Sequence, residues 1–346
     1  MLTQEGAIMK LYAGVDLHSN NSYLGIMDEK NKKVYKQKLP NDLSEILKVM
    51  DAYRKEIHGV VVESTFNWYW LVDGLMANGY KVCLANPSAI KQYEGLKHSD
   101  DSRDAFHLAQ LLKLGILPEG YIYPREERPV RDLLRKRLQL VRQRTAHILS
   151  FQNLVSRNLG KHMKSNDIKK LHKEDVKDIF KEEYLILSGK ANIATMRFLE
   201  EQINEIEKAV LNRAKLKSEY KNLLSAPGIG KILALTIMLE TGDIKRFPKV
   251  GNYVSYCRCV SSKRISNGRV KEEGNRKNGN KFLSWAYVEA ANFAIRNYPY
   301  VKRYYQKKMA KTNKVVAIKA VSHKLSRACY YIIKDEEAFS PKKAFG

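Results

Sequence analysis

The chain has 346 residues, more than one hydrophobic core usually serves, and its 44% hydrophobic content can fill two or three. Its 62 Lys and Arg against 37 Asp and Glu leave a formal charge of +25, well beyond what solubility needs, so a phosphate backbone is the expected partner. No run of about 18 apolar residues spans a bilayer and Met1 to Lys10 lacks the order of a signal peptide, which argues against a membrane span and predicts a cytoplasmic protein. Cys83, Cys257, Cys259 and Cys329 read as reduced thiols in that compartment.

The chain opens as a three-stranded meander. Leu11 to Asp16 runs to a polar turn at His18 to Asn21, Tyr23 to Met27 returns, and the alternating run Val34 to Leu39 follows a turn at Asp28 to Lys32. Asn41-Asp42 caps a helix with Leu43, Ile46, Leu47 and Met50 at helical spacing, and the buried-type strand Val60-Val61-Val62 ends on Glu63. A helix around Trp68 to Ala77, a strand Lys81 to Ala85, a short helix opened by Pro87 and a helix from Asp101 complete the region. This order predicts an α/β, ribonuclease H-like domain with a mixed sheet over residues 10–124.

Within it, acids stand out on a basic chain. Asp101 and Asp104 share a helix face, roughly 5–6 Å apart. Asp16 ends the first strand and Glu63 the strand after the first long helix, so four carboxylates from distant segments converge on one sheet edge. Carboxylates this close repel, and a divalent cation, Mg²⁺ or Mn²⁺, keeps them ionised; a two-metal site needs such a cluster. Taken singly, the helix acids are also explained by capping and the dipole, and Asp16 and Glu63 by a turn and a strand end.

After Pro118 and Pro124 the chain becomes helical and strongly basic. Leu134, Leu138, Val141, Thr145, Ile148, Gln152, Val155 and Leu159 form a heptad seam with Thr145 and Gln152 as register-setting residues. Leu199, Ile203, Ile206 and Val210 run back at the same steps. A coiled-coil stalk over residues 125–220 is expected, either a hairpin within one subunit or a dimer seam, with Arg131, Arg135 and Arg142 offered to nucleic acid. The lysine-rich stretch Lys161 to Lys181 reads as a mobile linker or a nucleic-acid-contacting tip.

Residues 221–335 form the third, mainly α part. Pro227-Gly228-Ile229-Gly230 before a helix from Lys231 to Glu240 has the form of a helix-hairpin-helix turn, whose glycine amides approach a DNA phosphate, with Gly228, Gly230 and Lys231 as contacts. Residues 260–269 read as an exposed loop crowded with Lys263, Arg264 and Arg269, followed by Lys277 and three helices. No acid occurs between Glu289 and Asp335, where eleven Lys and Arg make a one-sided nucleic-acid track.

The four acids, the coiled-coil middle and the Pro-Gly-Ile-Gly part with its Ser-x-Gly loop together resemble the insertion-sequence one-ten family of DEDD transposases, also called bridge recombinases and related to Piv-type invertases. The resemblance spans Tyr12 to about Ile333. It implies a RuvC-like first domain in which Asp16, Glu63, Asp101 and Asp104 hold the metal ions. It also implies that Ser266, with Gly268, is the serine of a C-terminal transposase domain that attacks DNA and forms a phosphoserine link. A structured guide RNA, element-end and target DNA, and a dimer or tetramer are its implied partners. Two departures occur. Asp100 precedes Asp101 where the family often reads Lys-Thr-Asp, so Asp100 is the alternative ligand. Arg258-Cys259-Val260-Ser261 replaces the usual Gly-Leu-x-Pro, which makes Ser261 and Ser262 alternative nucleophiles.

Two other functions use the same residues. A metal-dependent junction-resolving nuclease needs the acids and water but not Ser266, and a non-catalytic nucleic-acid-binding protein needs neither.

Overall fold

A computed structural model describes residues 9–90, 101–214, 218–260, 263–267, 269–273 and 278–346. The chain forms two compact units, Met1–Arg125 and Glu126–Gly346. Among the described residues no helix is long and apolar enough to cross a membrane.

The first unit is a mixed six-stranded sheet with helices on both faces. Its strands are β1 (Leu11–Leu17), β2 (Asn21–Asp28), β3 (Lys33–Pro40), β4 (Ile57–Glu63), β5 (Val82–Ala85) and β6 (Glu119–Gly120), in the order β3-β2-β1-β4-β5-β6. The meander β1-β2-β3 is antiparallel, β4 runs parallel to both β1 and β5, and β6 returns antiparallel to β5. All of β1 is buried because it lies between two strands and under helices on either side. Its odd residues Leu11, Ala13, Val15 and Leu17 face the core that takes Ile46 and Met50 from α1 (Leu43–Asp51) and Leu71 and Leu75 from α2 (Tyr69–Ala77). Its even residues face α3 (Asp101–Lys113), which covers the other side with Phe106, Leu108 and Ala109. Asp42 alone caps α1, accepting from the Ser44 and Glu45 amides at 2.8 and 3.4 Å, and Asn41 is used elsewhere.

The second unit begins with a long antiparallel helical hairpin. Helices α4 (Arg128–Leu159) and α7 (Glu183–Ala214) have 32 residues each. They are bridged at successively opposed levels by Arg137–Glu207 at 2.6 Å, Arg144–Glu200 at 3.3 Å and His147–Asn192 at 3.1 Å. Leu134, Leu138, Ile148 and Val155 are buried, so most of the apolar seam is satisfied inside one chain. Neither polar seam residue sets a register: Thr145 is exposed and donates to the Val141 carbonyl at 2.9 Å, while Gln152 donates to the Met163 carbonyl at 2.8 Å. The lysine-rich stretch is no mobile linker. It folds as α5 (Ser165–Ile168) and α6 (Val176–Ile179), and it packs Ile168, Val176 and Phe180 against Phe151, Val155, Ile193 and Met196. A few apolar residues spaced among the lysines suffice for this small core.

The rest of the unit is a helical bundle: α8 (Ser218–Leu223), α9 (Lys231–Thr241), α10 (Val250–Tyr256), α11 (Lys281–Asn297), α12 (Pro299–Met309), α13 (Lys314–Asp335) and α14 (Pro341–Phe345). Leu134 and Val210 from the base of the hairpin join its core. At the centre the Tyr253 and Tyr287 hydroxyls lie 2.6 Å apart. Around them burial pushes the thiols of Cys259 and Cys329 up to about 11 and about 12, so these are neutral core groups. The region expected to be a loop is a hairpin of β7 (Lys263–Ser266) and β8 (Arg269–Glu273), with Ser266 opposite Arg269. Asn267 turns it at φ 52°. An Asn-Gly pair is a strong hairpin signal and here outweighs the polarity of its flanks.

Candidate functional site

In the first unit Asp16 and Glu63 meet at the ends of β1 and β4, and Asp104 lies near enough for its charge to act on Glu63. Val15 pairs with Val62, and the next step of this parallel register brings Asp16 beside Glu63. Asp16 is only 4% exposed. The Glu63 carboxyl shares a hydrogen bond with it and is pushed up to about 7, by burial first, then by Asp16, then by the charge of Asp104. His18 Nε2 lies 3.2 Å from Asp16 Oδ2, and among the described residues its charge pulls Glu63 the other way.

Asp104 reaches this cluster because α3 lies directly on the sheet. A Cβ on Gly14 would stand 1.9 Å from the carbonyl oxygen of Ala105, the residue after Asp104. Gly25, paired with Gly14 across the β1–β2 ladder, faces the Phe106 ring in the same way. The two glycines form a trough that seats the helix, and the helix carries the acid. Gly14→Ala is therefore expected to lift α3, costing about 3 kcal/mol; a lowered urea midpoint checks it.

The rim is braced by amides. Asn41 Nδ2 donates to the carbonyls of His18 and Ser19, each at 3.0 Å, and Asn67 Nδ2 donates to the His18 carbonyl, also at 3.0 Å. From the sequence His18 and Asn41 are expected only as turn and cap residues. The available signal was period: His18 follows Asp16 by two and so shares its side of the strand. Asp101 opens α3, but its side chain, like all of Asp100, lies outside the described residues. Among the described residues, no three His, Cys, Asp or Glu side chains are gathered closely enough to hold an ion by themselves.

In the second unit Ser266 ends β7, one residue before the turn; its side chain, Gly268, Lys277, Ser261 and Ser262 lie outside the described residues. The roots of the segment are firmly held. On one side Lys319 Nζ donates to the Arg258 carbonyl at 3.3 Å, and His323 Nδ1 lies 3.2 Å from the Cys259 carbonyl. That contact gives His323 a structural role. On the other side Asn280 caps α11 through the Phe282 amide at 2.8 Å, and its amide donates to the Glu240 carboxylate at 2.7 Å.

Glu240, 2% exposed, is the hub. Arg135 grips both of its oxygens, at 2.6 and 2.7 Å, and stacks over Phe282. Removing Glu240 leaves a guanidinium that is 31% exposed and so partly hydrated, and takes the carboxylate from Asn280. Glu240→Ala is expected to cost about 2–3 kcal/mol, read as a lowered urea midpoint.

This arrangement corrects part of the expected nucleic-acid surface. Arg131 is 3% exposed and so does not face a phosphate backbone. Arg135 is committed to Glu240. Gly228, at φ 77°, serves packing, since a Cβ there would stand 2.1 Å from the Ala290 carbonyl oxygen on α11. Arg142, Gly230, Lys231 and Arg269 are exposed, as are Lys302, Arg303, Lys307, Lys308, Lys311 and Lys314 around the α12–α13 turn. Lys263 and Arg264 lie on β7, their side chains outside the described residues.

Known proteins bear on both units. A DEDD transposase model of the IS110 type matches residues 13–158, and a model described as "Transposase IS116/IS110/IS902 family" matches residues 220–306. The transposase for insertion sequence element IS1111A of Coxiella burnetii is 23% identical over 300 residues, covering 82% of this chain and 78% of its own. A putative transposase, y4qE, of Sinorhizobium fredii is 24% identical over 223 residues, 64% of this chain and 55% of its own. Transposases bind DNA, cut it and rejoin it. With matches across both its sheet-bearing and its helical parts, the chain belongs to the IS110 family of transposases.

Proposed function

We propose that the protein is a metal-dependent recombinase of its insertion sequence in which the acids and Ser266 act on one phosphate. The observation that carries this is the hydrogen-bonded pair Asp16 and Glu63 with the charge of Asp104 beside it, where burial first and then these two acids push Glu63 up to about 7. Such crowding of carboxylates in a partly buried place is a standing cost unless positive charge offsets it. The donors are all oxygen, which suits a hard divalent cation such as Mg²⁺ or Mn²⁺. When bound, the cation supplies charge stabilisation to the phosphate and the leaving oxygen. Asp16, Glu63, Asp104 and Asp101 (or Asp100) are its ligands in this reading. The sheet order, with three antiparallel strands and then parallel crossovers, supports a RuvC-like, ribonuclease H-like fold for residues 10–124.

The second unit supplies the nucleophile. Ser266 Oγ forms a bond to phosphorus as the bond to the leaving sugar oxygen breaks, and the proton lost by Oγ offsets the one gained by that oxygen. The phosphoserine link conserves the bond for rejoining. In functional terms residues 125–220 act as a stalk and 221–335 as the serine-bearing domain. The exposed Tyr184, Leu187 and Phe198 on the outer face of α7 favour pairing with a second copy, and the exposed cations of α12 and α13 favour DNA and a guide RNA.

Incubating the protein with a plasmid carrying the element, with and without the transcript from its flank, tests this reading. Cleavage at the element ends that needs Mg²⁺ or Mn²⁺ and stops in chelator is expected; cleavage by Asp104→Ala at the wild-type rate would sink it.

A further inference from the structure

The C-terminal 40 residues lie beyond the family match, which ends at residue 306 for the second model, and they build a cavity of their own. Helix α13 ends at Glu336, in a left-handed conformation at φ 56°, and the chain turns back along it. Three contacts fix the returning tail. Asn222 Nδ2 donates to the Glu336 carbonyl at 2.7 Å, the Phe339 amide donates to Ser225 Oγ at 2.8 Å, and Phe345 packs against the rings of Tyr300 and Tyr304. Between tail and helix this leaves a space of about 430 Å³, within the range of pockets that hold small organic ligands.

Beside the apolar Ala328, Ile332 and Phe339, the lining has three kinds of surface. Tyr331, 44% exposed, offers an aromatic ring to it. Lys324 and Arg327 bring positive charge, while Lys343 is held by Glu337 at 3.1 Å. Asp335 and Glu337 add hydrogen-bond acceptors. A polyphosphate or a fatty chain would meet these carboxylates unfavourably. A nucleotide meets all three surfaces: its base stacks, its amino edge donates to a carboxylate, and its phosphate takes the cations. Bases within a duplex are paired and stacked, so only an unpaired one fits inside.

We infer that this cavity takes a single unpaired nucleotide of a bound nucleic acid, its base against Tyr331 and its phosphate on Lys324 and Arg327. The inference goes beyond the recombination chemistry and rests only on the chain's binding of nucleic acid. The pocket reads the structure of its partner, a bulge or a strand end, where the exposed lysines of α12 read only charge.

Binding of the full-length protein to short duplexes with one bulged nucleotide tests it, in DNA and RNA versions beside fully paired controls. The bulged duplex is expected to bind roughly tenfold more tightly than the paired one. Tyr331→Ala removes that preference, Tyr331→Phe keeps it, and all three proteins bind paired duplex equally, which shows intact folding and intact general binding. A preference seen only with RNA or only with DNA supports the inference and names the source. Equal affinity for bulged and paired duplexes, or a preference that survives Tyr331→Ala, overturns it.

Discussion

Asp16→Asn is expected to lower DNA strand cleavage by on the order of a thousandfold or more while leaving the fold intact or slightly more stable. Asp16 is buried and bonded to Glu63, so a neutral amide of the same shape removes a proposed ligand and also removes a repulsion. The second effect has a pH signature. A free glutamate releases its proton near 4.5, but Glu63 in the folded protein holds it to about 7. Between those values the native state binds the extra proton. The stability this provides is complete below about 4.5 and is lost as the pH rises through about 7. Metal-free wild type should therefore melt at a lower temperature at pH 8 than at pH 6, and Asp16→Asn should narrow that gap. Thermal unfolding in chelator at both pH values reads it directly, and an equal gap in the two proteins would argue against crowding as the cause.

Ser266→Ala is expected to be at least as damaging to recombination, by on the order of 10⁴ or more, yet silent in binding. The residue ends a strand beside a two-residue turn, where loss of a hydroxyl leaves the backbone pairing untouched. Affinity for element-end DNA and the melting temperature should match wild type. A weakened DNA affinity instead would make Ser266 a phosphate contact rather than the attacking group.

Much of the acid site is legible in the sequence because its parts are strand ends and a helix start, which hydrophobic runs and turns mark clearly. Asp16 and Glu63 close buried runs, and a parallel pairing of those runs puts them side by side. What seats Asp104 is less legible. Gly14 and Gly25 look like ordinary strand glycines until the helix they admit is in place, and His18 gives only a period-two hint. On the basic side, charge alone misleads. Arg131 and Arg135 read as a nucleic-acid face, but helix periodicity turns them inward, where Glu240, another charge on a largely apolar helix, takes up Arg135. The hairpin at residues 263–273 hides for the opposite reason: its strands are polar, and only Asn267-Gly268 announces them. The heptad seam is real as a pattern, yet a pattern cannot say whether the facing helix is the chain's own; here α7 fills it.

The most direct measurement is a denaturing gel that looks for protein covalently joined to DNA. The protein is incubated with Mg²⁺, element-junction DNA and the flanking transcript, and wild type runs beside Ser266→Ala and Asp104→Ala. A metal-dependent recombinase that attacks through Ser266 gives an adduct with wild type and with neither variant. Cut DNA free of protein, released equally by wild type and Ser266→Ala and lost in Asp104→Ala, would contradict that account and make the protein a nuclease that uses water.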